Sequence, residues 1–441
     1  MTTAIAGSLD APSRPWARAT RWLLFLAPFF FLSYGAANWL AAMRTDVGSV
    51  VFAWEHRIPF LPWTIIPYWS IDILYGISLF VCTSDRELDS HARRLITAQV
   101  IAVTCFILFP LRFTFARPEP DGFAGYLFAS LESFDKPFNQ APSLHIALLV
   151  ILWDRFARHV PRWARLPLHA WFALIGVSVL TTYQHHFFDL PTGALLGFVC
   201  LWLWPDDQPS PLRTASFATE HRRWKLAAYY AAGAAALAAL ADGIGGVALW
   251  LFWPSVSLIL VAANYALFGA AGFQKSPDGT MSVAAHWLLA PYIAAARINA
   301  RLWTWNDPEY VAVGDGVMLG RLPMRIRHGS YRGVIDLTAE MPRPGGGVTY
   351  RAFPMLDLIA PAPDRLRAIA ETIERSRTVE PVLVCCALGY GRSAAAVAVW
   401  LLTTGRAGST EDAIARIRGA GARVALSNSI AAIAAAAEPR P

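Results

Sequence analysis

Apolar runs about as long as a bilayer is thick constrain this chain more than any other feature. They lie at 21–42, 62–82, 95–111, 167–183 and 187–204, with a shorter one at 144–153 that extends at both ends. Two more follow near 225–242, which is rich in alanine, and 246–270. A helix needs ~20 residues to cross the ~30 Å hydrocarbon core. In lipid every backbone N–H and C=O must be paired within the structure that spans it, so runs of this length form helices. Eight spans are predicted. With 55% of its 441 residues hydrophobic and 16% charged, the chain has a membrane composition. The first run is too long, and lacks the small-residue cleavage pattern, to be a removable signal peptide.

The loop charges alternate. Arg14, Arg18 and Arg21 precede the first span, and Arg86, Arg93 and Arg94 separate the second from the third. Arg155, Arg158, Arg162 and Arg165 follow the fourth, and Arg213, Arg222, Arg223 and Lys225 follow the sixth. Every second loop is basic, which places those loops and both termini on the cytoplasmic side. The net charge of +7 follows from this bias and requires no nucleic-acid partner. Of the five cysteines, Cys82, Cys105 and Cys200 lie in or beside apolar runs. No spacing suggests a disulfide framework, a zinc site or a bound cofactor.

The second constraint is Cys386-Ala387-Leu388-Gly389-Tyr390-Gly391-Arg392-Ser393. It follows the β-like run Pro381–Val384 and precedes the apolar helical run Ala394–Leu402. A loop that opens a helix aims backbone N–H groups at one point, and the helix dipole adds positive charge there. Such a loop cradles a phosphate, with Gly389 and Gly391 allowing close approach and Arg392 clamping the oxygens. The same field favours the thiolate of Cys386, which makes it a nucleophile toward a bound phosphate monoester.

These residues resemble the cysteine-dependent dual-specificity and tyrosine phosphatases, over roughly 306–441. The resemblance implies an α/β fold in which Cys386 attacks phosphorus, Arg392 binds the phosphoryl oxygens and the Ser393 hydroxyl assists thiolate departure. It implies a general acid some thirty residues upstream, where Phe353-Pro354-Met355-Leu356-Asp357 supplies Asp357. Asp336 is the competitor, placed at the end of a core strand. The family's usual histidine before the nucleophile is replaced by Cys385, so the vicinal cysteines are either a redox pair or an inert neighbour and a nucleophile.

A second constellation gathers on the other predicted membrane face. Ser143 and His145 open the fourth span, while Ser178, His185 and Asp189 lie where the fifth joins the sixth. A histidine with an aspartate four residues on is a nucleophile or base with an orienting carboxylate. Arg112 and Arg117 nearby are candidate phosphate ligands. Polar residues gathered at one membrane face imply a site. Residues 60–205 resemble the type 2 phosphatidic acid phosphatase superfamily, through Pro142-Ser143-Leu144-His145 and through Ser178-Val179 followed by five residues, His185, three residues and Asp189. The resemblance implies His185 as phosphoryl acceptor, Asp189 as its orienting group, His145 as proton donor, and Ser143 and Ser178 as phosphate ligands. Val179 stands where that family has an arginine, and Leu144 where it has glycine. With His185-His186, this pattern is closer to the sphingolipid head-group transferases, so hydrolysis, transfer and simple binding all stay open.

Residues 283–305 carry Trp287, Tyr292, Arg297, Arg301, Trp303 and Trp305 among apolar residues, which predicts a helix lying on the membrane surface. The expected organisation is a phosphatidic acid phosphatase-like membrane domain at 1–205, two further spans at 206–272, a linker helix at 273–305 and a dual-specificity phosphatase domain at 306–441. The whole resembles bacterial fusions of these two modules. That implies a multi-pass inner-membrane enzyme acting on a membrane phospholipid monoester, with the histidine site periplasmic and the cysteine site cytoplasmic. A membrane-tethered protein tyrosine phosphatase is the alternative.

Overall fold

The computed structural model describes residues 14–326 and 329–438. The chain divides into two compact units, Met1–Ser210 and Pro211–Pro441.

The first unit is all helical: α1 (Trp16–Ala42), α2 (Ile65–Val81), α3 (Asp85–Leu108), α4 (Gly122–Glu132), α5 (Leu144–His159), α6 (Arg165–Thr181) and α7 (Asp189–Leu203). Its core is a continuous apolar cluster drawn mainly from α2, α3, α5 and α6, including Leu79, Leu88, Leu95, Phe106, Ile151, Leu152 and Phe172. α3 begins ten residues before its apolar run. Ser84 caps it, accepting from the Glu87 N–H at 3.3 Å, and the Glu87 carboxylate accepts from the Thr83 N–H at 2.8 Å. Two arginines expected in loops are buried instead. Arg94 meets Asp154 at 3.4 Å and Asp206 at 3.1 Å, while Arg155 meets Asp206 at 3.1 Å and contacts Glu87. Acidic partners distant in sequence make that burial tolerable.

The second unit opens with the short α8 (Pro211–Thr214), then α9 (His221–Ile244) and α10 (Phe252–Ala263), which pack against each other. Among the described residues, six helical stretches are long and apolar enough to cross a membrane. They are Trp16–Ala42, Pro62–Val81, Asp85–Leu108, Arg162–Thr181, His221–Ile244 and Gly246–Phe273. The expected fourth and sixth spans fall short, because α5 has 16 residues and α7 has 15. Both begin at the polar histidine constellation, which takes up length that a span would use. The Gly246–Phe273 stretch is irregular, with a π-helical turn at Asn264–Phe268 after α10.

The linker helix is broken at Leu289 into α11 (Val283–Leu288) and α12 (Ala290–Trp303), with Pro291 in the first turn of α12 where a missing N–H costs nothing. A five-stranded sheet follows: β1 (Tyr310–Gly314), β2 (Val317–Arg321), β3 (Gly333–Thr338), β4 (Thr349–Met355) and β5 (Val382–Cys386). Its order is β1-β2-β5-β3-β4, parallel except for the β1/β2 hairpin. The remaining helices are α13 (Pro363–Arg377), α14 (Arg392–Thr403), α15 (Thr410–Gly419) and α16 (Ile430–Ala437). Every residue of β3 and β5 is buried, as a parallel sheet covered on both faces requires. Val384, Cys386 and Ile335 pack with α13, α14 and α16. Leu383, Cys385 and Val334 pack on the other face with Tyr331, Tyr350 and Ala300 of α12. The linker helix thus covers the sheet with Ala296 and Ala300 and leaves Ile298, Leu302 and Trp303 exposed.

Candidate active sites

β5 is the central strand, and Cys386 is its last residue. The chain then turns through Ala387–Gly391, and α14 starts at Arg392. Gly389 has φ +86°, and a Cβ there would come within 2.7 Å of the Gly320 carbonyl carbon, so the turn admits only glycine. The Gly389 N–H donates to the Cys386 sulfur at 3.3 Å, and the Ser393 hydroxyl donates to it at 3.2 Å. Two donors thus converge on the Cys386 sulfur where α14 begins.

Arg392 is 4% exposed. Its Nη1 donates to Glu340 Oε2 at 2.9 Å and to the Met355 carbonyl at 2.8 Å, and its Nη2 donates to Glu340 Oε1 at 2.7 Å. Asp357 Oδ1 lies 3.2 Å from Nη2, with the Asp357 side chain 41% exposed. The Arg392 Nε is buried without a hydrogen-bond partner, which leaves one donor of the fork for an incoming oxygen. Burial pushes the Glu340 carboxyl up, but the Arg392 guanidinium outweighs it and holds that carboxyl below the usual range. After Asp357 the chain passes through Leu358 at φ +61°, a left-handed turn that is costly for leucine and directs the loop back toward α13. The Tyr265 hydroxyl, at the end of the α9/α10 hairpin, donates to the Asp357 carbonyl at 3.1 Å.

Two alternatives are resolved by position. Asp336 is fully buried, accepting from the Thr338 N–H at 2.8 Å and the Tyr350 hydroxyl at 2.6 Å and contacting Lys275. Its lone pairs are committed, so it holds the core rather than a leaving group. Cys385 lies on the sheet face opposite Cys386, since neighbouring strand residues point to opposite sides. Burial pushes its thiol well above the ordinary value, with Asp336 adding to the effect.

In the first unit His185 is buried between two partners. Its Nε2 is 3.1 Å from the Ser143 hydroxyl and its Nδ1 is 3.2 Å from Asp189 Oδ2. Asp189 also accepts from the His186 N–H at 3.0 Å. His145 stacks on Tyr68 with ring centroids 4.2 Å apart, and its Nε2 is buried without a partner. Both histidines line a cavity of about 140 Å³, walled largely by aromatic rings from α1, α2 and the loop before α5. Of the other expected ligands, Ser178 donates to the Ile175 carbonyl within its own helix. Arg117 pairs with Glu132 at 2.9 Å, and Arg112 is exposed. None of these three lines the cavity. Residues not expected from the sequence do so or brace it. Asp135 lines it, accepting from the Tyr34 hydroxyl at 3.0 Å and the Asn38 amide at 3.2 Å. Glu55 is 1% exposed, pairs with His186 Nδ1 at 3.0 Å and accepts from the Phe187 N–H at 3.0 Å.

The Cys386 sulfur, the Arg392 fork, the Ser393 hydroxyl and the half-exposed Asp357 form an arrangement able to hydrolyse a phosphate monoester through cysteine. Among the described residues no group of three His, Cys, Asp or Glu is placed to hold a metal ion.

Solved structures resemble the C-terminal part. One is titled as PTPMT1 in complex with PI(5)P: 19% identity, covering 29% of this chain and 92% of that one, TM-score 0.26. Another is Tk-PTP in the active form: 22% identity, 30% of this chain and 97% of that one, TM-score 0.26. A third is human DUSP28: 18% identity, 30% and 90%, TM-score 0.25. No family model matches the chain. No curated protein matches it in sequence.

Proposed function

We propose that the chain is an integral-membrane phosphatase that removes a phosphate monoester from a phospholipid, such as a phosphatidyl-alcohol phosphate, through a cysteinyl-phosphate intermediate. One observation carries the reading. The general-acid loop is hydrogen-bonded to the apolar α9/α10 hairpin, Tyr265 to Asp357, which supports a pocket close to the lipid head groups. The loop 387–391 contributes no lysine or arginine, which disfavours a head group with several phosphates around the reacting one.

In this mechanism the Cys386 thiolate attacks phosphorus as the ester P–O bond breaks. Asp357 gives its proton to the departing alkoxide oxygen, while Arg392 and the loop N–H groups hold the phosphoryl oxygens. Water then attacks the thiophosphate, Asp357 takes the water proton, and the Ser393 hydroxyl stabilises the sulfur as it leaves. The protein ends unchanged, with phosphate released.

The Ser143–His185–Asp189 chain supports a second lipid-phosphate site of the type 2 phosphatidic acid phosphatase kind, in which His185 accepts a phosphoryl or head-group phosphoryl unit. The basic loops favour a bacterial inner-membrane protein with Cys386 in the cytoplasm and His185 in the periplasm. Phosphate release from lipid monophosphates and phosphotyrosyl peptides, compared among wild type, Cys386→Ser and His185→Ala, tests the assignment. Cys386-dependent release from peptides alone would replace it with a membrane-anchored protein phosphatase.

A further inference from the structure

A cavity of about 280 Å³ lies against the general-acid loop. Its walls include Met355 and Leu356 from the end of β4, Gly269 beyond the hairpin, Arg223 in the first turn of α9 and Arg365 in the first turn of α13, with Glu220 also lining it. The Met355 carbonyl accepts from Arg392 Nη1, so this cavity and the phosphoryl site share a wall. Arg223 donates from Nε to the Tyr265 carbonyl at 2.8 Å, and Arg365 donates from Nη2 to the Pro354 carbonyl at 2.9 Å. These backbone bonds fix both guanidinium groups in place. Among the described residues neither arginine forms an ion pair with a carboxylate. Two oriented guanidinium groups in one concavity, against the single carboxylate of Glu220, suit a phosphodiester, whose two free oxygens can each accept a charge-assisted bond. The basic turn His221-Arg222-Arg223-Trp224-Lys225 opens a membrane-length helix, the depth at which lipid phosphates lie.

We infer that this cavity is a subsite for the phosphodiester of a membrane glycerophospholipid whose distal phosphomonoester occupies the Cys386 loop. The inference rests on the lipid reading proposed above and adds a requirement to it. The substrate carries two phosphates, one bridging to the glycerolipid and one terminal. Arg223 and Arg365 read the first, and Arg392 reads the second. Glu220 opposes the diester and trims its affinity.

The test uses the full-length protein in mixed micelles and two probes. Phosphatidylglycerophosphate carries both phosphates, and phosphatidic acid carries a monoester and no diester. The quantity read is the ratio of kcat/KM for the first over the second. Arg223→Gln with Arg365→Gln should lower that ratio about tenfold or more, chiefly through KM, since each lost charge-assisted contact is worth roughly a factor of ten. Glu220→Gln should raise it, an effect that misfolding cannot produce. A ratio unchanged in the double variant, or lowered equally by Glu220→Gln, overturns the subsite while leaving the lipid reading intact. A wild type that hydrolyses phosphotyrosyl peptides and neither lipid overturns both.

Discussion

Glu340 grips Arg392 with both carboxylate oxygens, at 2.7 and 2.9 Å, in a pocket where both side chains are almost wholly buried. The pair fixes the plane of the guanidinium before any substrate arrives, so no side-chain entropy is lost when phosphate binds. Glu340→Gln removes the buried counter-charge and leaves Arg392 with only the half-exposed Asp357 carboxylate. The expected result is a loss of stability of about 3–5 kcal/mol, measured by denaturant unfolding, together with a raised KM for any phosphate monoester.

The same pair sets an acid limit. Its carboxyl is held below the unfolded value of about 4.3. A depressed carboxyl contributes stability that is complete above the unfolded pKa and lost as pH falls through the folded one. Acidification below about pH 4 should therefore lower the unfolding midpoint of wild type more steeply than that of Glu340→Gln. Parallel slopes in the two proteins would place the acid-sensitive group elsewhere.

Asp357→Asn separates proton donation from phosphoryl transfer. Alkyl phosphates need a proton on the leaving oxygen and aryl phosphates need it far less, so the first should slow by about 10²-fold or more and the second much less. Equal losses would remove Asp357 from the role of general acid. Ser393→Ala acts on the later step. Losing its 3.2 Å bond to the sulfur should slow cysteinyl-phosphate breakdown by roughly tenfold or more, visible as a burst of alcohol before slow phosphate release.

Each site is complete within its own unit, since Ser143, His145, His185 and Asp189 belong to the first and Cys386, Arg392 and Asp357 to the second. His185→Ala should thus leave Cys386-dependent turnover nearly intact. Val179→Arg asks what the first site does. A gain in phosphate release marks a weakened hydrolase, and loss of an existing transfer activity marks a transferase.

Cysteine accessibility in cells tests orientation. Cysteines introduced at 84–93, 155–165, 206–222 and 306–441 should be protected from an impermeant reagent, while those at 44–57, 115–140 and 184–188 react. A reactive C terminus would reverse the orientation deduced from the basic loops.

What could be read from the sequence was local in the chain. The Cys386–Ser393 loop and the His185–Asp189 pair each carry their meaning within a few residues, while Asp357 came into view through the resemblance to the cysteine-dependent phosphatases. Glu340, Glu55, Lys275 and Tyr265 owe their roles to partners tens of residues away, as in the bonds Arg392–Glu340, His186–Glu55, Lys275–Asp336 and Tyr265–Asp357. A glutamate or tyrosine isolated in sequence carries no sign of such a partner. Arg112 and Arg117 show the converse, since any arginine near a membrane face resembles a phosphate ligand in sequence, and neither lines the histidine cavity. Among the described residues six stretches rather than the expected eight reach span length, for a related reason. Hydropathy registers apolar length, while α5 and α7 give up their first turns to polar chemistry.

The central claim is that phosphate passes through the sulfur of Cys386. Rapid detergent quench of the full-length enzyme at alkaline pH with a phosphate-labelled lipid monoester, followed by peptide mapping at that pH, tests it directly. The account predicts label on the peptide containing Cys386, absent in Cys386→Ser and accumulating further in Ser393→Ala. Label on the peptide containing His185, with turnover surviving in Cys386→Ser, would contradict it.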